Sequence, residues 1–164
     1  MEYEPINFVF TKEERKIAAD EGYRRQKVNE KRNLRGRNGG AEKGNTAQKI
    51  HLIGAAGEMA VASLLGLKEH LYEETDAKRG SYDLPPDIDV KTTQKHINDL
   101  IVQLDDVKTK RYVLVSIEKK ECIIHGWVEA ERAMKEIFIK DPVGGRPAYF
   151  VPKGILNPMS TLIL

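Results

Sequence analysis

Cysteine is almost absent from this sequence of 164 residues, and Cys122 is the only one. A single cysteine excludes a disulfide within the chain and a metal site built from several thiolates. Long apolar runs are absent as well, since no stretch approaches the roughly 20 apolar residues that span a bilayer. Residues 1–5 carry two glutamates and show no feature of a signal peptide. We therefore expect a cytoplasmic protein that has no membrane partner.

An excess of charge of one sign is also missing, because 27 basic and 25 acidic residues give a net charge of +2. Overall charge therefore does not indicate a nucleic-acid partner, and only a local cluster can do so. One basic cluster lies between residues 24 and 37, where Glu30 is the single acid. A solvated helix face is one interpretation of it, and an arm that contacts phosphates is the other. The candidate phosphate contacts are Arg24, Arg25, Lys27, Lys31, Arg32, Arg35 and Arg37.

The basic cluster belongs to an N-terminal segment, residues 1–45, that we separate from a core domain at residues 46–164. Thr11 and Glu14 have the spacing of a capping box, which predicts a helix from Thr11 to about Leu34. The glycine-rich residues 36–45 that follow predict a flexible loop.

In the core domain, the periodicity changes from helical to extended. Small and apolar residues recur at three- and four-residue spacing from Thr46 to Leu65, which predicts a helix with one buried face that packs closely on its neighbour. Alternation of period two then predicts four strands, at residues 87–93, 100–104, 112–118 and 122–128. A tight turn at residues 119–120 joins the last two. A helix at residues 129–139 and an extended piece at residues 148–151 follow. This order predicts an α/β (α+β) domain in which helices flank a mixed central sheet.

The first predicted strand carries the residues that indicate chemistry. Asp89 and Lys91 lie two apart, so both side chains project from the same face. Pro85 and Pro86 bend the chain before the strand, and the bend can bring Asp83 beside Asp89. Two adjacent aspartates suit Mg²⁺, which prefers oxygen ligands. A lysine beside them can position the attacking water or offset charge on a phosphate, so the set predicts phosphodiester hydrolysis.

Three further groups are candidates for the same site. The carbonyl of Val90 points sideways from the strand and is a candidate metal ligand. Asp87 is an alternative to Asp83 as the first acid, because period two places it on the face of Asp89; we prefer Asp83, which leads into the bend. Glu58 is an acid on a helix of small and apolar residues, where a metal site would explain it.

The order of these residues resembles the motif of the PD-(D/E)XK nuclease superfamily: a helix glutamate, then an aspartate, then an Asp-x-Lys pair on a strand. The resemblance implies a restriction-endonuclease-like core and a Mg²⁺ or Mn²⁺ site at which Glu58, Asp83, Asp89 and Lys91 act in catalysis. A narrower resemblance, to small phage-encoded proteins of unassigned function, covers residues 50–158. Its motifs are HLIGAAGEMAVASLLG, YVLV and GRPAYFVP. For a phage-encoded chain, the expected compartment is the cytoplasm of the host cell.

These observations favour a metal-dependent nuclease that acts on DNA, with RNA as the second candidate substrate. Two alternatives stay open. A non-catalytic nucleic-acid-binding module with a degenerate nuclease fold would bind DNA through the basic cluster without a metal. A phage protein that binds a host factor would bind neither metal nor DNA. The oligomeric state is also open: many nucleases of this kind form homodimers, but no heptad pattern supports a dimer here.

Overall fold

The computed structural model describes residues 2–32, 45–73 and 82–164. Within these ranges the chain forms three α-helices and seven strands, which confirms the predicted mixture of helix and strand. The helices are α1 (Lys12–Arg32), α2 (Asn45–Leu65) and α3 (Ala130–Ala133). The strands are β1 (Ile6–Phe8), β2 (Ile88–Thr93), β3 (Leu100–Gln103), β4 (Arg111–Glu118), β5 (Glu121–Glu129), β6 (Ile139–Lys140) and β7 (Ala148–Val151). None of the described helices is long and apolar enough to cross a membrane.

The strands form two sheets. The first has the order β1-β5-β4-β2 and is mixed, because β2 runs parallel to β4 while the other pairs are antiparallel. The second is antiparallel and has the order β3-β7-β6. The predicted mixed sheet is therefore present, but β3 lies outside it and pairs with the C-terminal strand β7.

The first sheet lies between α2 and the second sheet. Val113 and Val115 of β4 belong to a buried apolar cluster that contains Val61 of α2. Tyr112 and Leu114 project from the other face of the same strand into a second cluster, which contains the apolar residues of β3 and β7. Alternate residues of one strand thus support two separate cores, as the two-residue period of a strand requires.

The N-terminal segment is attached to this sandwich by a strand and a helix. β1 pairs with β5, and α1 packs against α2. The predicted capping box is present at the start of α1: the Thr11 amide donates to Glu14 Oε1 at 2.8 Å, and the Glu14 amide donates to Thr11 Oγ1 at 3.1 Å. Leu34 and residues 36–44 of the predicted flexible loop lie outside the described residues.

A glycine permits the close contact between α2 and β2. A Cβ atom placed on Gly57 would lie 1.9 Å from Thr92 Oγ1, whereas one placed on Gly54 would meet nothing within 4 Å. The predicted close packing of this helix is therefore real at Gly57 and absent at Gly54. It holds the helix residue that follows, Glu58, against the sheet.

The prediction of one helix at residues 129–139 is wrong. α3 ends at Ala133, a 3₁₀ turn occupies Glu136–Phe138, and β6 begins at Ile139. Met134 and Phe138 pack against the second apolar cluster, and β6 pairs with β7. Packing and strand pairing therefore override a local sequence that favours helix.

Candidate functional site

The open edge of β2 is where the predicted site residues meet. Among the described residues, β2 has a neighbouring strand on one side only, because it ends the order of the first sheet. The chain before it turns back on itself, since the amides of Asp83 and Leu84 donate to the Ile88 carbonyl at 2.9 and 3.0 Å. The Val90 amide then donates to Asp83 Oδ2 at 2.7 Å. The predicted bend thus brings Asp83 to the edge of β2.

Asp89 and Lys91 share one face of β2, as their spacing predicts. Lys91 Nζ lies 3.2 Å from Asp89 Oδ2 and 3.2 Å from Asp106 Oδ2, so the ammonium group lies between two carboxylates. It also lies 5.6 Å from the centre of the Tyr112 ring. Lys110 Nζ is a second cation here, 4.0 Å from Asp89 Oδ2. Both Asp106 and Lys110 belong to the loop between β3 and β4.

Glu58 approaches the site from α2 and is paired with a cation of α1. Arg25 donates from Nη2 to Glu58 Oε2 at 2.6 Å and from Nη1 to Oε1 at 3.2 Å. The same guanidinium donates to Glu21 Oε1 at 3.2 Å, and its Cζ lies 5.3 Å from the centre of the Tyr72 ring. A forked contact of this kind fixes both partners. Arg25 is therefore part of the acidic site, and its assignment to a phosphate-contacting arm stays a prediction.

The carboxyl groups of Glu58 and Asp83 have raised pKa values, because both are buried and both lie close to Asp89. Burial raises the pKa of Asp83 well above its ordinary value, and the nearby charges of Glu58 and Asp89 raise it further, against the opposing effect of the Val90 amide. Burial also raises the pKa of Glu58, and the charge of Asp89 adds to this while Arg25 opposes it. Raised carboxyl pKa values in such a cluster are typical of functional sites.

The described residues contain no set of three or more His, Cys, Asp or Glu side chains arranged to hold a metal ion. Arg25 binds both carboxylate oxygens of Glu58, whereas the lysines beside Asp89 contact only its Oδ2, so Asp83 and Asp89 are the candidate carboxyl pair. Mg²⁺ commonly uses one or two carboxylates together with waters and substrate phosphate oxygens. The residues therefore fit an ion held by this pair. The Val90 carbonyl lies on the same edge, because the amide and carbonyl of one strand residue point to the same side and the Val90 amide points to Asp83.

The remaining predicted residues lie elsewhere. Asp87 is paired with Arg111, which donates from Nε at 2.8 Å and approaches Asp87 Oδ1 from Nη2 at 2.6 Å. Arg24 donates to Glu21 at 2.6 and 2.9 Å.

Two of the predicted phosphate contacts, Lys27 and Lys31, are exposed on α1. Arg32 is the last residue of that helix, and Arg35 and Arg37 lie outside the described residues.

Asp106 and Lys110 are the residues of the site that the sequence did not indicate. They lie in the loop between β3 and β4, whose sequence shows neither helical nor extended periodicity. Only the tertiary structure brings this loop to Lys91. Asp106 is held in place by the Gln103 amide, which donates to its Oδ2 at 2.8 Å. An acidic turn immediately before a predicted strand is too common to have identified either residue.

Comparison with known proteins adds no relative. No family model matches the sequence, and no curated protein or solved structure resembles it significantly.

Proposed function

We propose that this chain is a metal-dependent phosphodiesterase that cleaves DNA, with the residue layout of the PD-(D/E)XK superfamily and a restriction-endonuclease-like core. The observation that carries the proposal is the meeting of Asp83, Asp89 and Lys91 at the open edge of β2. Carboxyl groups buried together repel one another, and a divalent cation would relieve that repulsion. An arrangement that raises the pKa values of its own acids is a poor way to stabilise a fold, whereas it suits ion binding.

Asp83 and Asp89 would hold Mg²⁺ or Mn²⁺, with the Val90 carbonyl as a further oxygen donor. The bound ion supplies charge stabilisation at the phosphate and acidifies a coordinated water. Asp83 is positioned for this role by the Val90 amide, which occupies one of its carboxylate oxygens. Asp89 is positioned from the other side by Lys91 and Lys110.

Lys91 would act on the reacting phosphate. Its ammonium group is held beside Asp89 by Asp106, whose side chain is 7% exposed and therefore fixed by its surroundings. A cation placed next to the metal ligands can position the attacking water and offset the charge that develops on the phosphate oxygens. Removing one such preorganised group typically lowers kcat by about 10²–10³-fold.

Glu58 would support the site through Arg25. The pair keeps a carboxylate beside Asp83 without leaving an uncompensated buried charge. The pairing also makes α1 part of the site, since Arg25 lies on that helix. The exposed cations Lys27 and Lys31 lie further along α1 and would contact the phosphates of DNA outside the reacting position.

The test is cleavage of supercoiled plasmid, single-stranded DNA and RNA in Mg²⁺, in Mn²⁺ and in EDTA. Lys91→Ala and Asp89→Asn should each lower the metal-dependent rate by about 10²-fold or more. Lys140→Ala and Asp20→Asn are matched controls, because both residues are exposed and lie outside the site. Metal-dependent cleavage that is equal in all five proteins, wild type included, would refute the proposal.

The two alternative functions give different results in the same preparation. A nucleic-acid-binding module would bind DNA in a salt-sensitive manner with no cleavage and no effect of the metal. A protein that binds a host factor would show neither binding nor cleavage. Either result, from a correctly folded wild-type protein, would replace the nuclease proposal.

A further inference from the structure

A cleft of about 560 Å³ opens beside Lys91. One wall is the open edge of β2 from Val90 to Thr93. The other wall is β3, which is the end strand of the second sheet. Residues of α2 close the cleft at the side. A volume of this size is within the range of pockets that hold one small molecule, about 300–1,000 Å³. A DNA duplex is many times larger than a small molecule, so it does not fit inside a pocket of this volume.

The side chains that line the cleft combine apolar surfaces with amide groups. Ile50 of α2 and Ile101 of β3 are 38% and 40% exposed, so both present open apolar surface. The amides are those of Gln94, Asn98 and Gln103. Apolar surfaces match the faces of a nucleobase, and amides carry the donor and acceptor groups that match its edges.

The basic side chains that line the cleft outnumber the acidic ones. Lys91 and Lys95 are its cations, and Asp99 is its acid. Lys153 approaches Asp99 Oδ1 to 3.8 Å, which offsets the negative charge. Lys153 Nζ also donates to the carbonyls of Ile97 and Asn98, at 2.6 and 3.1 Å, so the loop that carries Asn98 is held in place. The cleft is therefore formed in advance, and its basic side chains are Lys95 and Lys91, the latter flanked by Asp89 and Asp106.

We propose that this cleft binds one unpaired nucleotide of the substrate, with the base between Ile50 and Ile101 and the phosphate towards Lys91. Single-stranded or locally unpaired nucleic acid would then be preferred to an intact duplex, because a paired base would have to leave its stack to enter. This inference rests on the proposed function, which places the reacting phosphate at Lys91. A peptide strand added to the edge of β2 is the other occupant of suitable shape, but two lysines and three amides match it less well.

The test measures binding in EDTA, where cleavage does not occur. A fluorescein-labelled oligothymidylate of twelve nucleotides and a blunt duplex of the same length would be compared by fluorescence anisotropy. We expect the wild type to bind the single strand at least 10-fold more tightly than the duplex. Ile101→Glu should weaken single-strand binding by about 10-fold or more, since contact with one base is worth about 1–3 kcal/mol.

Ile139→Glu is the matched control. Ile139 is 39% exposed, belongs to the same sheet as Ile101 and does not line the cleft. Its substitution should change the affinity by less than 2-fold, and circular dichroism would verify that both variants fold. Equal affinity for single strand and duplex, or equal affinity in the two variants, would overturn the inference.

The binding assay separates this inference from the proposed function. Metal-dependent cleavage that needs Lys91 but treats both substrates alike would leave the nuclease and refute the nucleotide cleft. Single-strand binding that needs Ile101, without any cleavage, would leave the cleft and refute the nuclease. Failure of the wild type to bind either oligonucleotide would refute the cleft and favour a peptide strand as its occupant.

Discussion

Replacing Gly57 with alanine should destabilise the protein, although alanine is the better helix former. A glycine in a helix interior is about 1 kcal/mol less favourable than alanine, so propensity alone predicts a gain of that size. The new Cβ atom, however, would lie 1.9 Å from Thr92 Oγ1 and 3.0 Å from Thr92 Cβ and Cγ2. Real Cβ atoms do not approach this closely, so α2 or β2 must shift. Overpacking of this kind costs about 1–3 kcal/mol.

Gly54→Ala isolates the effect of the contact. Gly54 lies one turn earlier on the same helix, and a Cβ there meets nothing within 4 Å. Gly54→Ala should therefore gain about 0.5–1 kcal/mol. The two alanine variants should differ by about 2 kcal/mol, which corresponds to about 4–8 °C in Tm for a chain of this length. Urea and thermal unfolding in EDTA would measure both, and equal stability of the two variants would refute the reasoning.

A double-mutant cycle tests whether Thr92 is the residue that clashes. Thr92 Oγ1 is buried and makes no hydrogen bond within the described residues, so its removal loses no hydrogen bond. Thr92→Ala should therefore be tolerated better in the Gly57→Ala background than in the wild type, with a coupling of about 1 kcal/mol. Additive effects would mean that the helix moves away from the sheet instead. In that case Glu58 moves with it, and the cleavage rate should fall together with stability.

Two predictions concern pH. The folded-state pKa of Asp83 is raised, so its contribution to stability is present at low pH and is lost as pH rises through that pKa. The stability of Asp83→Asn relative to wild type should therefore increase from pH 4 to pH 8 in EDTA, while the variant loses metal-dependent cleavage. A stability difference that stays constant with pH in urea unfolding would contradict this. His125 is the opposite case: burial first, and then the charges of Lys153 and His96, lower its pKa to about 4. Its contribution is present above the ordinary histidine value and is lost on acidification, by about 2 kcal/mol between pH 7 and pH 5. His125→Gln should reduce that slope in urea unfolding, and an unchanged slope would assign the acid sensitivity to other groups.

The parts of the fold that the sequence predicted are those that depend on neighbours along the chain. The capping box at Thr11, the buried middle of α2 and the alternation in β2 all involve residues within four positions of one another, although Ile50 and Leu64 at the two ends of the predicted α2 face are exposed. The tight turn between β4 and β5 was also predicted, and Lys119 and Lys120 adopt positive φ angles of 48° and 67° there. The shared face of Asp89 and Lys91 followed from strand geometry alone.

Pairings between distant segments were not predicted. β1 joins the sheet through β5, more than 100 residues later, although the alternation of Ile6, Phe8 and Phe10 was visible in the sequence. The separation of β3 into a second sheet depends on β7 in the same way. Such pairings are selected by the packing of the whole domain, to which a local pattern contributes little.

Sequence analysis named Glu58, Asp83, Asp89 and Lys91 as site residues, and it missed Asp106, Lys110 and the contact of Arg25 with Glu58. Asp83 and Glu58 were identified because one leads into a bend before the strand that carries Asp89, and the other is an acid on an apolar helix. Arg25 was assigned to a DNA-binding arm, because it stands in a basic run, whereas its guanidinium is bound to Glu58. Charge patterns along a sequence therefore indicate where cations are plentiful, but not which of them is buried against an acid.

The energetics of the cluster favour a chemical role over a structural one. At an effective dielectric constant of 20, two opposite charges 4 Å apart attract by about 4 kcal/mol. Removing each charged group from water costs several kcal/mol, so a buried pair contributes little net stability and is often less stable than apolar residues of the same volume. Here burial and the nearby charges of Glu58 and Asp89 raise the pKa of Asp83, although cations from α1, β2 and the loop before β4 pair with those two neighbours. A fold that required only stability would be better served by apolar residues at the edge of β2. The convergence of these charges is explained if a divalent cation binds there, since it would stabilise the ionised carboxylate of Asp83, which burial and the neighbouring acids disfavour.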